Sequence, residues 1–115
     1  MEVFAMLELD DLNDFRQWLQ ENHRQADEVW LAFYKKASGK QTLSIVQAVE
    51  EALCFGWIQS RLKPLDSERF AVRFSPRRQD SSWSLPNLRR ARRLIEQGRM
   101  TEAGMAALPK EFVSP

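Results

Sequence analysis

The segment from residue 57 to residue 74 reads WIQSRLKPLDSERFAVRF and predicts an antiparallel hairpin at the centre of the fold. Residues 64–68 are typical of a turn, because proline, aspartate and serine favour tight changes of direction. After the turn the chain alternates cleanly, with Phe70, Val72 and Phe74 facing inward. The strand before the turn is also predicted to alternate, which divides its residues between two faces: Ile58, Ser60 and Leu62 on one, and Trp57, Gln59, Arg61 and Lys63 on the other.

Further strands and four helices are predicted around this hairpin. Residues 29–34 are aromatic and β-branched, and both faces of this strand are apolar, which favours a position inside the sheet. Residues 1–7 form a candidate first strand. Three helices are predicted to begin after residues that can cap them, namely Asp10 or Asp11, Ser44 and Ser84, and residues 101–104 are predicted to start a short last helix. The buried stripe of each helix is expected to be Leu12, Phe15, Trp18 and Leu19 in the first, Val46, Val49 and Leu53 in the second, and Leu88, Ala91 and Ile95, flanked by Leu94, in the third.

The predicted order of elements is strand, helix, strand, helix, hairpin, helix, helix. This order indicates an α+β fold, with a small antiparallel or mixed sheet and helices packed on it. A chain of 115 residues has room for one hydrophobic core. We therefore expect a single domain over residues 1–115, with a frayed tail at residues 111–115.

Composition excludes several classes of protein. Hydrophobic residues make up 43% and charged residues 29% of the chain, which is the balance of a folded globular protein. The single cysteine, Cys54, allows no internal disulfide, and together with the single histidine, His23, it supplies too few ligands for a structural zinc site. No apolar run reaches the roughly 20 residues of a membrane helix, and the first residues lack a signal-peptide pattern. We expect a cytoplasmic protein without a membrane span, a metal or a cofactor.

The formal net charge of +1 conceals an asymmetry between the two halves of the chain. Residues 1–57 hold ten acids and five bases, a net charge of −5, whereas residues 58–115 hold six acids and twelve bases, a net charge of +6. Most of these bases are arginines, whose planar guanidinium binds phosphate through paired hydrogen bonds. We predict a face that binds a phosphate-containing ligand or nucleic acid, formed by Arg61, Arg69, Arg73, Arg77, Arg78, Trp83 and Arg89. The alternative is that these arginines pair with the acids of the first half.

No catalytic arrangement is predicted. Cys54 lies in an apolar helix, where a buried and unreactive thiol is the expected state. His23 lies at a polar helix end and is expected to be solvated. Glu50 and Glu51 are adjacent, so on a helix they point in different directions and are not expected to act as a carboxylate pair. We therefore expect a binding protein rather than an enzyme.

Four motifs follow one another along the second half of the chain: EEALCFGWI (residues 50–58), RFSPRR (73–78), SWS (82–84) with Asn87, and LIEQGRMT (94–101) with Ala103 and Gly104. In this order they resemble the YdeI/OmpD-associated family, also called bacteriocin-protection proteins. The resemblance covers most of residues 15–105. It implies a YjbR/CyaY-like fold, no established enzyme activity, and a bacterial stress-protection role through a protein partner.

The resemblance also implies alternatives for the ligand. YjbR-like relatives have been suggested to bind DNA, and frataxin-like relatives handle iron. The motifs are expected to converge on a cleft lined by Trp57, Gln59, Ser82 and Asn87. Gln59 stands where many members have Asp, so this chain lacks that carboxylate. Three hypotheses follow, namely an anion-binding module, a partner-binding protection protein, and an enzyme or iron handler.

Overall fold

The computed structural model describes residues 6–8, 11–40, 44–78 and 82–109. Its strands and helices follow the predicted order: β1 (Met6–Leu7), α1 (Leu12–Asn22), β2 (Val29–Tyr34), α2 (Ile45–Leu53), β3 (Trp57–Pro64), β4 (Arg69–Pro76), α3 (Leu85–Glu96) and α4 (Glu102–Ala106). A short 3₁₀ turn, Lys36–Ser38, follows β2. The part of the predicted first strand before Met6 and the predicted frayed tail lie outside the described residues.

The strands form one mixed sheet in the order β1-β2-β4-β3. β1 runs parallel to β2, whereas β2 and β3 both run antiparallel to β4. The predicted α+β fold, the hairpin and the internal position of β2 are all confirmed. In the hairpin turn, one carboxylate oxygen of Asp66 accepts hydrogen bonds from the backbone N–H groups of Glu68 and Arg69, at 2.9 and 2.8 Å.

One face of the sheet and three helices build the hydrophobic core. The register places Leu31 of β2 opposite Val72 of β4, and the ring of Phe15 in α1 lies 5.4 Å from that of Phe74 in β4. The buried cluster includes Val29, Leu31, Phe33, Val72 and Phe74 from the sheet, and Phe15, Leu19, Ala48, Ala52, Ala91 and Leu94 from the helices. Because α1, α2 and α3 all place buried residues in this cluster, they cover the same side of the sheet.

A β-bulge changes the faces of β3 relative to the sequence prediction. The register shifts between Gln59 and Leu62, so two residues, Ser60 and Arg61, stand opposite the single residue Arg73. An extra residue moves the alternation by one position, which puts Gln59 and Leu62 on the same side of the sheet. Trp57, Gln59, Arg61 and Lys63 were predicted to share one face, and this prediction is wrong. Gln59 lies opposite Phe74 on the core side, whereas Lys63 lies opposite Ala71 on the other side.

The inner face of α2 also differs from the predicted stripe. Val46 is 55% exposed, whereas Ala48 and Ala52 are buried. Small alanine side chains let the helix approach its neighbours closely, and that geometry turns Val46 outward. The same rotation buries Glu50 and Glu51, which the hydrophobic pattern alone does not predict.

The turn after α2 fixes the last helix. Gly56 has a φ of +77°, which side chains of L-residues rarely adopt, and a Cβ at this position would lie 2.9 Å from the carbonyl oxygen of Ala103. Thr101, which caps α4, donates hydrogen bonds to the carbonyl oxygen of Cys54 from its backbone N–H at 3.0 Å and from its hydroxyl at 2.5 Å. These contacts hold α4 against the end of α2.

Candidate functional site

The side of the sheet opposite the core carries aromatic and basic side chains. We call it the open face and define it by Trp30, Ala32, Tyr34, Lys63, Arg69, Ala71 and Arg73. The register places Trp30 of β2 directly opposite Arg73 of β4, and Tyr34 opposite Arg69. Side chains so paired have Cβ atoms about 4.5–5.5 Å apart. The open face therefore consists of an aromatic column on β2 beside an arginine column on β4.

Carboxylates accompany both arginines of the open face. Arg73 donates from Nε to Oε1 of Glu28 at 2.6 Å and from Nη1 to the hydroxyl of Ser60 in the bulge at 3.1 Å. Arg69 donates from Nε to Oδ2 of Asp66 at 3.0 Å and also pairs with Glu8. These side chains are 29–58% exposed, so water reaches both groups of each pair.

Lysines lie over the aromatic rings. Nζ of Lys63 is 6.0 Å from the ring centre of Trp30, and Nζ of Lys40 is 5.1 Å from that of Tyr34. Lys40 also forms an ion pair with Glu68 at 2.8 Å, and this hydrogen bond raises the pKa of the ammonium. Each ring thus has a cation within cation–π distance.

Arg77 has a different environment from Arg69 and Arg73. Its guanidinium carbon lies 3.8 Å from the ring centre of Trp83, and Nη1 donates to the carbonyl oxygen of Ser82 at 3.1 Å. Arg77 is 91% buried, and this burial lowers the pKa of its guanidinium. Arg77 and Trp83 therefore hold the end of β4 against the segment that precedes α3.

The remaining predicted anion ligands are exposed on separate elements. Arg61 lies in the bulge of β3, Arg78 follows β4, and Arg89 lies on α3. Within the described parts of the chain none of the three makes an ion pair. The structure thus brings Arg69 and Arg73 together on one face, places Arg61 beside Arg73, and separates Arg77 from them by burial.

The residues of the predicted motif cleft occupy different environments. Trp57 is 2% exposed and packs edge-on against Trp18, whereas Gln59 is exposed on β3. Ser82 and Asn87 lie on either side of the α3 N-terminus. There the backbone N–H of Asn87 donates to the Ser84 hydroxyl at 3.2 Å. Trp57 and Gln59 lie two residues apart on β3, whereas Ser82 precedes α3 and Asn87 lies in its first turn.

Sequence reasoning missed an ion-pair cluster with buried carboxylates, which we call the arginine clasp: Arg16, Glu50, Glu51, Arg93 and Arg99. Glu51 accepts from Arg16 at 3.0 Å and also pairs with Arg99, while Glu50 pairs with Arg93. Burial opposes the charge on Arg16, but its hydrogen bond to Glu51 raises the pKa of the guanidinium. Arg99 lies between the two glutamates, because it also pairs with Glu50 at 3.9 Å, and both carboxylates are buried. The signal in the sequence is two acids inside an apolar helix, which require cations nearby.

A groove of about 520 Å³ lies between the end of α1 and the start of α4, lined by His23, Arg24, Thr101, Glu102 and Ala103. His23 is half-buried rather than fully solvated, because its ring packs 5.2 Å from that of Phe55 and its Nδ1 lies 2.7 Å from the carbonyl oxygen of Leu19. Cys54 is buried, as predicted, and burial raises the pKa of its thiol. The groove wall mixes acidic and basic groups.

Among the described residues, no group of three or more His, Cys, Asp or Glu side chains is placed to hold a metal ion. No helix within the described ranges is both long and apolar enough to cross a membrane.

Comparison with known proteins gives one match. No curated protein and no solved structure matches the chain. The resemblance to the YdeI/OmpD-associated family, and with it the YjbR/CyaY-like label, stays a prediction. A family model described as a domain of unknown function, DUF8412, matches residues 7–107, which is most of the chain. The protein therefore belongs to the DUF8412 family.

Proposed function

We propose that the protein is a non-enzymatic binding module whose open face holds a phosphate-containing polyanion, with nucleic acid as the preferred class. One observation carries this proposal: Arg69 and Arg73 stand in register beside Tyr34 and Trp30 on the side of the sheet that the core helices do not cover. Arginine beside an aromatic ring is the combination that recurs in nucleic-acid interfaces.

The carboxylates beside these arginines do not prevent anion binding. Ion pairs between exposed groups contribute only about 0–1 kcal/mol, because water solvates both partners. A guanidinium also has five N–H donors, and Glu28 accepts the one on Nε of Arg73. A polyanion presents several phosphates at once, so it competes well against single carboxylates.

The two other hypotheses receive less support. A protein-binding patch of tryptophans requires several exposed rings, but Trp57 is buried and Trp83 is stacked on Arg77. Nucleophilic catalysis by the only cysteine requires an accessible thiolate, whereas Cys54 is buried and its thiol pKa is raised. Binding on the open face therefore accounts for more of the surface chemistry than either alternative.

The proposal is tested by fluorescence anisotropy with a labelled deoxythymidine strand of about 20 nucleotides, over a series of salt concentrations. We expect the affinity to fall steeply with salt, with a log–log slope of about −0.7 per phosphate contacted. Arg73→Gln should weaken binding by roughly fivefold and reduce the slope by about 0.7, because one phosphate contact is lost.

Arg24→Gln is the matched control, since it removes the same charge from an exposed position in the groove between α1 and α4. It should change the affinity by less than about twofold, and the slope should stay the same. Absence of binding at low salt, or an equal loss in both variants, would contradict the open face as the binding site.

A further inference from the structure

On the basis of the proposed function, we infer that the polyanion is a single-stranded nucleic acid whose bases stack on Trp30 and Tyr34 while Arg69 and Arg73 hold its phosphates. Phosphate binding alone requires only cations. An aromatic column beside the cations adds a second kind of contact, which matches the two parts of a nucleotide. Every base offers a flat π face, so such stacking tolerates any sequence.

The spacing of the two rings suits a single strand. Trp30 and Tyr34 point to the same side of β2, four residues apart, which corresponds to about 13 Å along the strand. Ala32 stands between them and is buried, whereas both rings are half-buried and keep part of their surface in solvent. Bases that stack on protein rings are unstacked from one another, so an extended single strand can cover this distance and place different bases on the two rings.

A duplex does not fit this arrangement. In a duplex both faces of every base are already covered by neighbouring bases, so only unpaired bases are free to stack on protein side chains. The major groove of a duplex admits a protruding helix or a two-stranded ribbon. The open face is instead the surface of a sheet, which cannot enter the groove. The aromatic column can therefore add affinity only for a strand with unpaired bases.

The lysines over the rings have a role in the same scheme. Lys63 and Lys40 lie 6.0 and 5.1 Å from the ring centres of Trp30 and Tyr34. An exposed cation–π contact is weaker than the stacking of a base, so a base displaces the ammonium from the ring. The displaced ammonium stays on its flexible stem beside the strand, within reach of a phosphate, and Lys40 also keeps its carboxylate partner Glu68.

The test compares four competitors against the labelled deoxythymidine strand bound to the unmodified protein. They are an unlabelled single strand, a duplex of the same length, a strand of the same length without bases, and inorganic polyphosphate of similar charge. We expect the unlabelled single strand to compete at least about tenfold better than the other three. This comparison needs no variant, so it does not depend on the folding of one.

Variants then locate the stacking. Trp30→Leu and Tyr34→Leu should each weaken binding of the single strand by about five- to hundredfold and leave polyphosphate binding unchanged. Trp30→Phe should restore most of the affinity, because it restores a ring. Leu62→Ala is the control, since it removes an exposed apolar side chain from the other side of the sheet and should have no effect.

The outcomes distinguish base stacking on the aromatic column from polyanion binding by the open face. Equal competition by polyphosphate, the baseless strand or the duplex overturns base stacking and leaves the polyanion proposal standing. Unchanged single-strand affinity in both leucine variants does the same. If no competitor and no labelled strand binds at low salt, the polyanion proposal itself fails.

Discussion

The arginine clasp and the open face contain the same chemistry in two environments. In the clasp, Glu50 and Glu51 are 8% and 6% exposed, and three arginines converge on them. On the open face, Arg73 and Glu28 are both about one-third exposed. The arginines are exposed to a similar extent in the two places, so the difference lies in the burial of the carboxylates that they pair with.

The physical basis of this difference is the solvent around the charges. A carboxylate that loses its partner in a buried position keeps its desolvation penalty, so breaking such a pair is costly. An exposed carboxylate that loses its partner regains water, so breaking that pair costs little. Acids of the first half of the chain therefore form two kinds of ion pair with arginines of the second half. The pairs in the clasp are costly to break, whereas those on the open face are easily exchanged.

The largest expected effect is the loss of a clasp carboxylate. Glu51→Gln places an NH₂ group where a carboxylate oxygen accepts from Arg16 or Arg99, so a donor faces a donor. We expect the free energy of unfolding to fall by about 2 kcal/mol, because the site is buried but its arginines are partly exposed. Thermal unfolding should show a decrease in Tm of about 10 °C.

Glu102→Gln serves as the control for this experiment, because Glu102 is exposed on α4. Its effect should stay within about 0.5 kcal/mol. Similar Tm values for the two variants would show that the clasp contributes no more than an ordinary surface charge.

A smaller effect is expected from the thiol beside the clasp. Burial raises the pKa of Cys54, although Arg16 opposes the shift, so the folded protein holds this proton more tightly than the unfolded chain. The resulting stabilisation is fully present below the pKa of an ordinary thiol, about 8.5. It is lost as the pH rises through the higher pKa that the thiol has in the folded protein. The thiol can lower the free energy of unfolding by at most about 1.4 kcal/mol for each unit of pH.

Urea unfolding between about pH 7 and pH 10 measures this loss. Other groups titrate in the same range, so the comparison is with Cys54→Ala, which should show a shallower fall in stability. Parallel curves for the two proteins would mean that the thiol is not desolvated in the folded state.

The smallest effect is expected on the open face. Glu28→Gln removes the carboxylate that pairs with Arg73, and the free energy of unfolding should change by less than about 0.5 kcal/mol. Affinity for the deoxythymidine strand should instead rise by about two- to fivefold, since Arg73 is released for a phosphate. Glu21→Gln, an exposed change of equal charge on α1, should have a smaller effect on affinity. Equal gains in both variants would indicate a general charge effect.

Most of the fold was predictable because the elements carry local signals. The alternation in β2 and β4, the caps at Ser44 and Ser84, and the glycine stop at Gly56 all lie where the structure has them. The faces of β3 were not predictable, because a bulge leaves no mark in an alternating strand. The exposure of Val46 was also missed, since the pattern of α2 allows more than one inner face.

The candidate site was predictable only in part. Local alternation does place Arg69 and Arg73 on one face, and the register confirms that they share it with Trp30. Two features depend on tertiary contacts rather than on local alternation. One is the burial of Arg77 under Trp83, and the other is the clasp, whose members are up to 83 residues apart. No periodicity reports such contacts.

The division of charge along the chain has a consequence for synthesis on the ribosome. When the acidic half has emerged, Glu50 and Glu51 still lack Arg93 and Arg99, and β2 lacks its partner strand β4. The nascent chain therefore carries net negative charge without the pairings that stabilise it, and its key contacts are long-range. Folding is expected to wait until α3 and the residues up to Arg99 have left the exit tunnel, so that this domain forms in one late cooperative step.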